Sequence, residues 1–298
     1  MGQLATEKRN HNTLHIDQMD GRSIAELINQ EDHCVAEAVA TQAGVIGEAI
    51  EAIASRFHDG GRIIYIGAGT SGRLGALDAI ELTPTYSVSP DRAFGLLAGG
   101  PAAMYAAVEG AEDSKTLAIA DLQEHQLTRD DVLIAVAASG RTPYAISALE
   151  YGNHIGSLTV SVTCTEANPM SKLAQIAICP VVGPEVITGS TRMKAGTAQK
   201  MILNAISTGV MIKMGYVYSN LMINVQPTNE KLIRRSTGIL MQILDVDEVE
   251  ASELLQESGK SVAAAIIMYK KGVDKMTATD LLKEYDNRVA EIIASDLH

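Results

Sequence analysis

Ile63, Ile64, Tyr65 and Ile66 form a short unbroken apolar run that gives way at once to Gly67-Ala68-Gly69-Thr70-Ser71-Gly72. Beyond the glycines, Leu74, Leu77, Asp78 and Glu81 recur at helical spacing, so the pattern over residues 63–86 predicts strand, glycine loop and helix. The same pattern returns downstream. Residues 132–137 are a continuous apolar strand, Ser139-Gly140-Arg141-Thr142-Pro143 is its loop, and residues 144–155 are a helix with Pro143 suited to its first turn. Apolar runs at 93–98, 158–163 and 176–182 predict three more strands. Unbroken apolar strands alternating with helices imply a parallel sheet covered on both faces, with ligands gathering at the C-terminal strand ends.

The flanking segments are helical. Ile24, Leu27 and Ile28 mark a short helix, and the spacing of Val35, Ala38, Val39, Val45, Ile46, Ile50 and Ile53 predicts one long helix over 35–57 that Asp59-Gly60-Gly61 stops. Thr188-Gly189-Ser190-Thr191-Arg192-Met193-Lys194 leads into another, predicted over 193–214. Three amphipathic segments, near 246–257, 261–270 and 279–294, predict a small C-terminal bundle. The fold expected is therefore an α/β three-layer αβα doubly wound parallel sheet, in a domain over 1–235 that includes the N-terminal helices. Residues 236–298 are expected as a C-terminal three-helix region.

Composition narrows the function. The chain has 298 residues, 46% of them hydrophobic and 20% charged, which is ordinary globular usage and excludes disorder. A net charge of −12, no Trp and only two Phe argue against a nucleic-acid surface, which needs clustered cations or stacking platforms. Any anion site must be local. Cys34, Cys164 and Cys179 are scattered, without metal-ligand spacing, and read as buried thiols. No apolar run approaches the ~18 residues of a membrane span, and the N-terminus has no apolar leader, so the expected home is the cytoplasm, with no membrane partner.

The glycine loop places free backbone N–H groups at a helix start, where dipole and donors together favour an anion, usually a phosphate. Gly67, Gly69 and Gly72 satisfy G-x-G-x-x-G, yet a dinucleotide site also needs an acid at the end of the second strand, where this chain has Ala98, Gly99 and Gly100. Thr70 and Ser71 are instead suited to a sugar hydroxyl or a phosphate. Equivalent donors recur in Ser139 and Thr142, and in Ser190 and Thr191. Three hydroxyl-bearing loops at one sheet edge point to a sugar phosphate, without a cofactor or a metal. Arg73, Arg141, Arg192 and Lys194 are each either phosphate ligands or surface charges.

These residues carry a resemblance. The G-A-G-T-S-G-R and A-A-S-G-R-T-P-Y loops are similar to those of the sugar isomerase (SIS) fold, which binds phosphosugars. More narrowly, the chain resembles the N-acetylmuramic acid 6-phosphate etherase family. The matching stretches are T-E-K-R-N at 6–10, I-N-Q-E-D at 28–32, residues 60–75, V-E-G-A-E-D at 108–113, residues 137–144, T-G-S-T-R-M-K-A-G-T-A-Q-K at 188–200, and L-M-I-N-V-Q-P-T-N-E-K-L at 221–232. They fall in order across most of the first 235 residues.

The resemblance implies cleavage of a D-lactyl ether from a 6-phosphorylated amino sugar by elimination of lactate and addition of water. It implies two catalytic carboxyls, with Glu81 protonating lactate and activating water and Glu112 as the C2 base. It further implies a sugar-phosphate site among Gly69, Thr70, Ser71, Ser139, Gly140, Arg141, Thr142, Ser190, Thr191 and Lys194, and a homodimer with the site near the subunit interface. One departure lies beside the first acid: Ile80, Leu82, Thr83 and Ser87 differ from the family pattern, while Glu81 and Pro84-Thr85-Tyr86 are kept. A helix break is expected near Glu81, just ahead of Pro84. Two rivals share the fold. A phosphosugar aldose–ketose isomerase needs no second carboxyl to protonate a leaving group, and a non-catalytic phosphosugar sensor needs neither.

Overall fold

Every residue of β1 (Ile63–Gly67), β3 (Val132–Val136) and β4 (Leu158–Val162) is buried, the condition that makes such strands read as unbroken apolar runs. In this computed structural model, which describes residues 5–225, 227 and 229–295, they join β2 (Ala93–Leu97) and β5 (Ile176–Ile178) in a five-stranded parallel sheet of order β2-β1-β3-β4-β5. The pairing is in step: Ile63 lies opposite both Ala93 and Val132, and Val132 opposite Leu158. The order reverses between β1 and β3, which opens a crevice where the loops after those two strands diverge.

Residues 1–80 and 90–207 form one compact unit, and residues 81–89 and 208–298 a second. In the first, α1 (Gly21–Ala40) and α2 (Ala43–His58) precede the sheet, and α3 (Gly69–Tyr86), whose residues 81–86 are counted with the second unit, follows β1. Next come α4 (Lys115–Glu124), α5 (Pro143–Ile155), α6 (Pro169–Leu173) and α7 (Lys194–Lys213). One core layer packs Ile64, Ile66, Leu133 and Ala135 against Leu122, Tyr144, Ala148 and Leu149 of α4 and α5. On the other face the Tyr65 hydroxyl donates to Asp78 on α3, at 2.7 Å. The three-layer αβα expectation holds.

The second unit contains the short hairpin of β6 (Val217–Tyr218) and β7 (Leu221–Met222) and five helices. These are α8 (Glu230–Leu244), α9 (Glu248–Glu257), α10 (Val262–Lys271), α11 (Lys275–Glu284) and α12 (Val289–Ala294). They enclose a core that includes Leu240, Leu255, Ile266, Ile267 and Ile292. The grouping departs from the 1–235 and 236–298 division, because the hairpin, α8 and residues 81–89 go with the tail.

Three local expectations are corrected. The single helix over 35–57 is two helices with a corner at Thr41-Gln42, where the Gln42 side chain accepts a hydrogen bond from Cys179 N at 3.0 Å; a tertiary contact turns the chain, with no Gly or Pro to announce it. The segment 279–294 is also two helices, because Asp286 (φ 50°) and Asn287 (φ 63°) adopt the left-handed conformation that these residue types tolerate best. The break expected ahead of Pro84 does not occur. Helix α3 runs through Pro84 to Tyr86 and ends at Ser87 (φ 58°), whose N–H donates to Thr83 O. The freed groups at that end are met within the second unit: Asn224 Nδ2 donates to Tyr86 O and Ser87 Oγ to Asn224 O, each at 2.8 Å.

At the strand starts, opposite the ligand edge, Asp131 clamps β1 to β3. Its carboxylate accepts from Arg62 N, Nε and Nη2 and from Thr128 N, at 2.6–3.0 Å. Burial alone would raise the Asp131 carboxyl, but these donors and the Arg62 charge outweigh it and hold the carboxyl below its usual range. A depressed carboxyl contributes stability above its unfolded pKa of about 3.9 and loses it as pH falls through the folded value. Asp131→Asn should therefore cost about 1–3 kcal/mol near neutrality, and its gap to the parent in thermal midpoint should narrow below about pH 4. A gap independent of pH would refute the clamp's charge.

Candidate active site

The loops after β1 and β3 are shaped by backbone proximity. A Cβ on Gly67 would lie 2.7 Å from Val136 O, and one on Gly72 2.5 Å from Gly67 O, so only glycine lets α3 start this close to the strand ends. This explains G-x-G-x-x-G without a nucleotide. Gly69 is exposed at the first turn of α3, and Thr70 and Ser71 follow, half-buried.

Ser71 Oγ donates to Gln199 Oε1 on α7 at 2.9 Å, and Thr70 Cγ2 lies 3.8 Å from where a Cβ on Gly196 would sit, beside Thr191 O. The structure thus brings the Thr70-Ser71 loop against the start of α7 near Thr191. Ser190 and Thr191 are half-buried and form a turn in which Met193 N donates to Ser190 O and Gly196 N to Thr191 O. The S-G-R-T-P loop stands on the same edge. Ser139 Oγ accepts from Arg141 N, Gly140 sits at φ 63° with Asn168 packed where a Cβ would go, and Arg141 is exposed. Thr142 precedes α5 but makes no side-chain cap, whereas Ser114, Asn168 and Asp274 cap their own helices. The first N–H groups of α5 are therefore not capped by the Thr142 side chain.

The start of α7 differs. Glu185 accepts from Lys194 N at 2.8 Å and from Ala195 N at 3.0 Å, so a carboxylate of the chain itself occupies that helix end. Burial pushes the Glu185 carboxyl up, against the pull of those two N–H donors and of the Lys194 charge. Lys194 is 2% exposed and its ammonium donates to Glu31 Oε2 at 2.8 Å. Asn10 and Asn12 donate to the same carboxylate, at 2.7 and 2.8 Å. Lys194 is thus paired with an interior carboxylate of the chain. Arg192 is exposed.

A cavity of about 330 Å³ opens beside the α3 start. Gly69, Arg73, Ala98, Glu109 and Glu112 line it, so one of the two expected catalytic carboxyls stands with the glycine loop. Glu112 is on a short 3-10 turn, Ala111–Asp113, and is exposed. Glu81 is exposed and belongs to the second unit, in the last turns of α3. Asp78 is buried with three donors, Tyr65 Oη, Asn204 Nδ2 and Ser207 Oγ. Among the described residues no group of three or more His, Cys, Asp or Glu side chains could hold a metal ion, and no helix is long and apolar enough to cross a membrane.

Sequence reasoning missed Gln199, Glu185 and Glu31. Gln199 lay inside the T-A-Q-K match and Glu31 inside I-N-Q-E-D. Glu185, nine residues ahead of Lys194, carried no local signal of its role.

Comparison with known proteins agrees with this architecture. The SIS domain matches residues 106–208, and the glucokinase regulatory protein N-terminal SIS domain matches residues 45–153. N-acetylmuramic acid 6-phosphate etherase 1 of Enterococcus faecalis is 61% identical over 291 residues, covering 98% of this chain and 97% of that protein. The N-acetylmuramic acid 6-phosphate etherase of Lactobacillus johnsonii is 54% identical over 290 residues, covering 97% of each. Among solved structures, an Escherichia coli CFT073 protein in complex with A5P shares the fold at a TM-score of 0.50 and 17% identity, covering 68% of this chain and 97% of that one.

Lys194→Met would leave the Glu31 carboxylate buried without its cation. It should cost about 3 kcal/mol, seen as a lower urea midpoint. A variant that unfolds like the parent but binds sugar phosphates more weakly would return Lys194 to the ligand.

Proposed function

The chain belongs to the N-acetylmuramic acid 6-phosphate etherase family, and from that premise we propose that it cleaves the D-lactyl ether of N-acetylmuramic acid 6-phosphate to N-acetylglucosamine 6-phosphate and D-lactate. The near full-length identity to the etherases carries this reading. The presence of Glu112 in one cavity with the α3 loop supports it. The proposed role is in amino-sugar recycling or catabolism of the cell wall.

The reaction proceeds through the open-chain sugar, whose C1 aldehyde acidifies the proton on C2. Glu112 takes that proton. The electron pair forms the C2–C3 double bond, the C3–O bond breaks, and Glu81 gives a proton to the departing lactate oxygen. Water then adds to C3 of the unsaturated aldehyde as Glu81 removes its proton, and Glu112 returns a proton to C2. Two carboxyls of ordinary chemistry suffice, each contributing on the order of 10²–10⁴-fold. The 6-phosphate is held by the open α5 start with Ser139, Gly140 and Thr142, and by the Thr70-Ser71 loop. An isomerase would share these loops, but its reaction has no leaving group for the second acid to protonate.

We place the protein in the cytoplasm, where its three free cysteines stay reduced, and as a homodimer with the site near the subunit interface.

Incubation with N-acetylmuramic acid 6-phosphate should release D-lactate, and a folded parent that releases none would sink the etherase reading. Glu81→Ala should lose lactate release by at least about 100-fold yet still exchange the C2 proton with solvent deuterium, whereas Glu112→Gln should lose both; exchange lost in Glu81→Ala would reverse the two roles. Sedimentation should give a dimer, and a fully active monomer would contradict that assembly.

A further inference from the structure

Arg73 is the cation of the Glu112 cavity, and the fold aims it deliberately. Its Nε donates to Ala103 O at 2.9 Å and to Met104 O at 3.1 Å, which fixes the guanidinium plane between α3 and the 3-10 turn Pro101–Met104. Among the described residues its two terminal nitrogens, Nη1 and Nη2, have no partner. A half-buried guanidinium with one edge bound to backbone and the other edge unused is a fork awaiting a planar anion. Around it the wall has small apolar residues, among them Ala68, Ala98, Ala103, Ala106 and Val108, together with Glu109 and Glu112.

The substrate carries two anions, the 6-phosphate and the carboxylate of the lactyl ether. They are separated along the sugar: the ether is on C3, next to the C2 proton, while the phosphate is three carbons further on. If Glu112 takes the C2 proton, the cation sharing its cavity stands by the C3 substituent. Glu109 and Glu112 also line this cavity, so a carboxylate, with one negative charge, is opposed less there than a phosphate with nearly two. Alanine and valine walls suit the lactyl methyl.

We propose that Arg73 is the specificity-determining residue of this chain, binding the lactyl carboxylate through its terminal nitrogens and seating the lactyl methyl against Ala103 and Ala106. The inference rests on the etherase reading. It explains how a pocket of the phosphosugar class selects an ether that ends in a carboxylate. The product sugar, having lost that group, no longer engages Arg73 and leaves.

The test compares two ligands and one altered substrate. With the parent protein, replacing the lactyl carboxylate by its amide should raise KM or lower kcat/KM by roughly 10- to 100-fold, the value of hydrogen bonds to a charged group. Arg73→Gln should lose a similar factor on the carboxylate substrate and little on the amide, so that the preference collapses. Its dissociation constant for N-acetylglucosamine 6-phosphate, which lacks the lactyl group, should stay within about twofold of the parent, an effect below 0.5 kcal/mol. Arg73→Lys, which keeps the charge, should recover part of the preference, and circular dichroism with thermal melting checks that both variants fold. Equal losses on the amide and the carboxylate, or weaker binding of N-acetylglucosamine 6-phosphate, would overturn the assignment. Should Arg73→Gln not fold, the parent's amide comparison decides alone: equal kcat/KM for the two substrates overturns the proposal. A parent that releases neither lactate from the carboxylate substrate nor lactamide from the amide defeats the etherase reading instead, which keeps the two failures apart.

Discussion

A single buried carboxylate holds the first unit's main helix in place. Asp78 sits on α3 with Tyr65 of β1 on one oxygen and Asn204 and Ser207 of α7 on the other, so strand and two helices meet at one charge. A carboxylate taken out of water is stable only when its lone pairs are met, and these three donors meet them. Burial, and then the Asp78 charge, push the Tyr65 phenol well above its usual range, which keeps it a donor. Gly75 completes the fit, since a Cβ there would come within 2.8 Å of Tyr65 Cβ. The approach of α3 to the sheet is thus dictated by two points, a glycine and a charge. The glycine loop and Arg73 on the same helix inherit their positions from it.

The ligand edge uses its helix starts unequally. The start of α7 is filled by Glu185, and the cation beside it is spent on Glu31. The start of α5 has no side-chain cap, and the start of α3 opens on a cavity. Electrostatically, the start of α7 is thus matched within the chain by a carboxylate of its own.

The sheet was legible because a doubly covered parallel strand must be apolar throughout, so residues 63–66 and 132–136 announced themselves. The S-G-R-T-P loop was legible for a different reason: Pro143 and Gly140 each have one backbone use. What stayed hidden depended on partners distant in sequence. Nothing local distinguishes Lys194 in a buried pair from Lys194 on a phosphate, because its partner is Glu31. The corner at Gln42 depends on Cys179, and the grouping of residues 81–89 with the tail depends on Asn224. Pro84 misled by a general rule: it forbids one hydrogen bond, but helix α3 continues through it to Tyr86.

The Glu31 to Lys194 pair joins residues 163 positions apart, and the Thr13 hydroxyl bonds Val186 O across 173. Asn10 and Asn12 close on the same Glu31. On the ribosome, then, Thr13 and Glu31 must wait for residues 186–194 to be made before they find these partners. At about 5–20 residues per second that is a delay of roughly ten seconds or more. For that time, a newborn chain carries Glu31 without its cation and Thr13 without its carbonyl partner.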